Sequence, residues 1–110
     1  MNHNLDLKAQ VKQILKVVQE LAPGRSVELR IPPHAAIQCV SGRTHRRGMP
    51  PNVVEMSAET LLKLLENPVN WQHYCDLGSI SASGTNSNLG SLFTEVSKLM
   101  NTEVGGKHGK

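Results

Sequence analysis

The chain has 110 residues, a mass of 12.0 kDa and a formal net charge of +3, which bounds it to one domain with one core. With one Trp, one Tyr and one Phe it lacks the stacking platform of single-strand readers, and its mild basic surplus, gathered at Arg43 to Arg47 and Lys107 to Lys110, argues against a nucleic-acid partner. No apolar run approaches the ~18 residues of a spanning helix, the first residues do not read as a leader, and two cysteines make no disulfide framework, so a cytoplasmic protein with at most peripheral membrane contact is expected.

After Asn4, apolar residues recur at Leu7, Val11, Ile14, Leu15, Val18 and Leu21, the spacing of one helix face over about 5–21. Pro23-Gly24 stops that helix. Val27, Leu29 and Ile31 alternate with Glu28 and Arg30 as in a strand with one buried face, and Pro32-Pro33 ends it. Ala36 to Val40 reads as a second strand, with Ile37 and Cys39 on one side and Gln38 on the other, paired with the first as a hairpin.

Ser41 to Pro51 is too rich in Gly, Pro and charge for a regular element. Asn52 to Met56 is a third strand, and it runs into Ser57, an N-cap for a helix carrying Leu61, Leu62, Leu64 and Leu65. Asn67-Pro68 breaks that helix and starts a short one with Trp71, Tyr74 and Cys75 on its apolar side. Gly78 closes it, and Ser79 to Ser83 forms a strand with Ile80 and Ala82 on one face. Beyond Gly84, Thr85 or Asn86 caps a last helix whose stripe is Leu89, Leu92, Phe93, Val96, Leu99 and Met100. A single domain over 1–104 with a core at about 24–101 is expected, and the Gly-rich end at 105–110 reads as a disordered tail.

The words of the second half carry a family resemblance. Val53-Val54-Glu55-Met56, then Ser57 to Leu65, then Ile80-Ser81-Ala82-Ser83-Gly84 ahead of Leu89 to Phe93 resemble the sterol carrier protein family. Pro33 to Cys39, Gly42, His45, Arg47-Gly48 and Pro50 to Glu55 are similar to its short bacterial orthologues, the run Arg47 to Glu55 being the specific part. The resemblance spans roughly 24–93. It implies an α+β fold, a mostly antiparallel four- to five-stranded sheet covered on one side by helices, with an apolar tunnel between the layers and no reaction.

On that reading an apolar ligand wall is expected from Leu89, Leu92, Phe93 and Val96 on the last helix, with Leu61, Leu65, Trp71, Ile37 and Val54 opposite. Ordinary core packing is the competing account of the same residues. The loop residues Arg43, His45, Arg46 and Arg47 suit an acidic group, or form a solvated loop whose Arg47 pairs with Glu55. Gln38, Cys39, His45 and Glu55 make an imaginable small polar site, although a cysteine alternating within a strand is usually a small buried hydrophobe.

Neither a zinc-type pair of pairs nor a phosphate loop, nucleophile elbow or carboxylate dyad is present in the sequence. No metal, cofactor, catalytic residue or obligate protein partner is therefore expected. The expected function is non-enzymatic carriage of a lipid, sterol-like or other apolar small molecule. Two alternatives stand beside it: an interaction module that binds an acidic partner through residues 43–47, and an accessory domain of a small-thiol-dependent enzyme.

Overall fold

A computed structural model describes residues 3–42 and 52–105. The elements in chain order are α1 (His3–Leu21), β1 (Val27–Ile31), β2 (Ala35–Cys39), β3 (Asn52–Met56), α2 (Ala58–Glu66), a 3₁₀ turn (Pro68–Asn70), α3 (Trp71–Asp76), β4 (Ile80–Ser83) and α4 (Gly90–Gly105).

The period written into α1 is the period that is buried. Val11, Ile14, Leu15 and Val18 are covered, whereas Lys8, Lys12, Lys16 and Gln19 face water. That stripe packs on β2 and α4. The chain leaves α1 through Gly24 at φ +149, where a Cβ would run into the carbonyl group of Val40, so only glycine lets the two segments approach. Val40 N–H donates to the Ala22 carbonyl at 2.6 Å, and the Val40 carbonyl accepts from Ser26 N–H at 2.8 Å.

The four described strands run in the order β2-β1-β3-β4. β1 pairs antiparallel with β2, which places Leu29 opposite Ile37, and β3 pairs antiparallel with β4, which places Met56 opposite Ile80. The central pair, β1 with β3, is parallel, with Leu29 beside Val54. The expected α+β fold and mostly antiparallel sheet are thus found, with a mixed sheet as the refinement. The cause is topological: β2 ends beside the start of β1 on one edge and β3 begins beside the same end on the other, so β3 runs the same way as β1.

One sheet face is apolar and covered: Val27, Leu29, Ile31, Cys39, Val54, Met56 and Ile80 are all buried. The other carries Glu28, Arg30 and Glu55, with Arg30 Nε 3.0 Å from Glu28 Oε2 and its Nη1 3.6 Å from Glu55 Oε1. These exposed pairs are worth at most about 1 kcal/mol each. Ala82 shares the side of Val54, its cross-strand partner, yet is exposed because β4 is an outer strand.

Ser57 caps α2, its Oγ accepting from Thr60 N–H at 3.1 Å. Ser57→Ala is expected to cost about 1 kcal/mol, seen as a lower urea midpoint with an unchanged slope. Within α2, Ala58, Leu61 and Leu64 are buried on the core side.

The last helix begins later than the expected caps Thr85 and Asn86. Asn86 N–H is already used, donating to Asn52 Oδ1 at 3.0 Å, and Asn88 Oδ1 instead accepts from Gly90 N–H at 2.9 Å. Leu99, expected on the α4 stripe, is 41% exposed. It sits about 100° round the helix from Met100, outside the line Leu89, Phe93, Val96.

Candidate functional site

The expected ligand wall lies inside or against the core. Val54, Leu61, Phe93 and Val96 are fully buried, Trp71 and Leu89 are nearly so, and Ile37 and Leu92 are half-buried against the same cluster. Trp71 and Phe93 stack with ring centroids 6.2 Å apart and planes 19° off parallel, a geometry that fills the space between α3 and α4. All nine wall residues therefore belong to the core cluster or pack against it, and one of them, Leu65, also lines a groove.

That groove, about 560 Å³, opens where α1, α2 and α4 meet. Its apolar surface comes from Ala9, Ile14, Leu62, Leu65 and Met100, and its polar atoms from Gln10, Gln13, Glu66 and Asn101. The groove is positioned by hydrogen bonding as well as by packing: Ser97 Oγ on α4 donates to the Leu65 carbonyl at 2.7 Å, tying the end of α2 to α4. Its volume falls within the roughly 300–1,000 Å³ of small-molecule sites. Its lining is predominantly apolar.

Two smaller hollows flank the sheet. One, about 440 Å³, is lined by Arg30, Pro32 to Ala36 and Glu55, and the other, about 270 Å³, by Trp71, Cys75, Ala82 and their neighbours. Both are shallow.

Of the polar candidates, Gln38, Cys39 and Glu55 lie among the described residues. Gln38 Oε1 accepts from Arg25 Nε at 3.1 Å, and Glu55 is engaged with Arg30. Arg43, His45, Arg46 and Arg47 lie outside the described residues, as does the expected tail from residue 106 onward. Burial pushes the Cys39 thiol up to about 11, so it stays protonated at neutral pH and behaves as a small hydrophobe. Burial first, and then the neighbouring Asp76 carboxylate, also raise Cys75.

Among the described residues no cluster of three or more His, Cys, Asp or Glu is placed to hold a metal ion, and no helix is long and apolar enough to cross a membrane.

A polar hub holds the two halves of the chain together. Asn52, only 2% exposed, donates through Nδ2 to the Ser26 carbonyl at 2.9 Å and to Ser26 Oγ at 3.2 Å, while its Oδ1 accepts from Asn86 N–H. Gly84, at φ +104, passes so close that a Cβ would strike the Asn52 carboxamide. The sequence marks Asn52 only as the polar start of a strand.

Comparison with known proteins agrees with this architecture. No curated protein matches the chain. A family model described as bacterial SCP ortholog matches residues 4–94, which takes in α1, the whole sheet, α2, α3 and the first turn of α4. The mixed sheet, the helical layer on one of its faces and this match together place the chain in the bacterial sterol carrier protein (SCP) ortholog family.

Proposed function

We propose that this domain is a non-catalytic carrier that holds an apolar small molecule or single lipid chain in the groove between α1, α2 and α4. The observation that supports this reading most directly is the groove itself: an open, mainly apolar concavity of about 560 Å³. Water in such a space has few polar partners, and displacing it gains about 25 cal/mol for each Å² of apolar surface covered. Membership of a carrier-type family points the same way.

The proposed site differs in position from a tunnel between helices and sheet. Leu61 and Leu64 of α2 and Phe93 and Val96 of α4 belong to the same buried cluster as the strand residues, and the half-buried outer residues of these helices, Leu62, Leu65 and Met100, line the groove.

Extraction and mass spectrometry of freshly purified protein should recover an apolar compound, and the stripped protein should take up a fluorescent fatty-chain probe saturably. Leu62→Trp, which places an indole in the groove without touching the buried face of α2, is expected to weaken that uptake at least tenfold with little change in thermal midpoint. Uptake that is absent for every apolar probe, or undiminished by Leu62→Trp, would remove the proposal.

A further inference from the structure

Among the described residues, the polar margin of the groove has one sign. It consists of the amides of Gln10, Gln13 and Asn101 and the carboxylate of Glu66, and Glu66 takes part in no ion pair among the described residues. The lysines of the adjoining helix segments, Lys8, Lys12, Lys16 and Lys63, are not among the lining side chains. Glu66 is also the final residue of α2; the carbonyls of Lys63 and Leu64 accept from Asn67 N–H and that of Leu65 from Ser97 Oγ, so the negative charge here is that of the carboxylate.

From this we infer that the groove selects amphiphiles by their head group, taking an alkyl chain that ends in a protonated amine or quaternary ammonium and disfavouring one that ends in a carboxylate. The inference rests on the proposed carrier reading and adds the chemical class of its ligand. The chain of the amphiphile covers Ile14, Leu62 and Leu65, its cation pairs with Glu66, and the neighbouring amide oxygens accept the remaining N–H groups where the head is a protonated amine. A carboxylate head in the same place would face Glu66 at close range and find only neutral amide donors.

The global charge makes the inference discriminating. A protein of net charge +3 attracts anions at long range, so a preference for the cation can come only from the local margin.

The experiment uses the full chain and three amphiphiles with the same twelve-carbon tail, dodecylammonium, dodecanol and dodecanoate, each below its micelle concentration at pH 7 and low salt, measured by calorimetry. The expected order is ammonium, then alcohol, then carboxylate, with about a fivefold to tenfold gap between the two ions that narrows as salt screens it. Glu66→Gln should at least halve the gap and Glu66→Lys should reverse the order, the affinity for dodecanol staying constant. Equal binding of all three, or an order unchanged by Glu66→Lys, overturns the head-group inference while leaving the apolar site in place. Failure of all three to bind overturns both.

Discussion

Phe93→Ala is expected to lower the thermal midpoint by roughly 15–25 °C. Phe93 is 0% exposed and stacks on Trp71, and truncating such a ring removes its transfer free energy and leaves a cavity, together about 3–5 kcal/mol. For a domain of this size each kcal/mol moves the midpoint by about 4–8 °C. The total stability of such a domain is about 5–15 kcal/mol, so the variant is expected to sit near the edge of folding at ordinary temperature. Circular dichroism melts check this, with Leu99→Ala as the control: that side chain is 41% exposed and its loss should change stability by no more than about 0.5–1 kcal/mol. A Phe93→Ala shift no larger than that of the control would mean that the helical layer does not close on the sheet.

Asn52→Ala is the second large effect, at about 2–3 kcal/mol. Three hydrogen bonds end on this side chain, to the Ser26 carbonyl, to Ser26 Oγ and from Asn86 N–H; the Ser26 carbonyl keeps the Asn52 backbone N–H at 3.3 Å, whereas Asn86 N–H loses its acceptor. An orphaned buried donor or acceptor costs about 1–3 kcal/mol. Urea denaturation reads the total, and hydrogen exchange reads the mechanism, because the Asn86 amide loses its acceptor and should exchange faster than in the parent. A destabilised variant with unaltered Asn86 exchange would reduce Asn52 to a matter of volume.

The elements whose apolar residues repeat at a single period could be read directly from the sequence. Val11, Ile14, Leu15 and Val18 declare α1, and Val27, Leu29 and Ile31 declare β1, because in each case one face is buried and the other solvated. The parallel pairing of β1 with β3 could not be read that way. Alternation says which face of a strand is buried and nothing about which strand lies beside it.

The start of α4 was obscured by competition. Thr85 and Asn86 are good caps by residue type, but the Asn86 amide belongs to the Asn52 hub, a contact across 34 positions that local chemistry does not foresee.

Periodicity also identified the core and the ligand wall as the same residues, because a stripe that packs and a stripe that lines a cavity have identical spacing. The groove did leave one trace in the sequence. Leu61 and Leu64 suffice to cover the core side of α2, so Leu62 and Leu65 make a second apolar strip wider than packing on the sheet requires. The Gln and Glu residues around it read as ordinary solvated surface, since nothing in one chain's letters says that α1 and α2 stand far enough apart to leave a trough.

The strands at the two margins of the sheet bear on how the molecules tolerate one another's company. A free strand border is a template for another chain, yet β2 is shielded by α1, whose Gln19 Nε2 donates to the Gln38 carbonyl at 3.1 Å, and β4 is four residues long and ends at Gly84. Among the described residues neither border offers a long row of vacant amides, which disfavours ribbon-like polymerisation at high concentration.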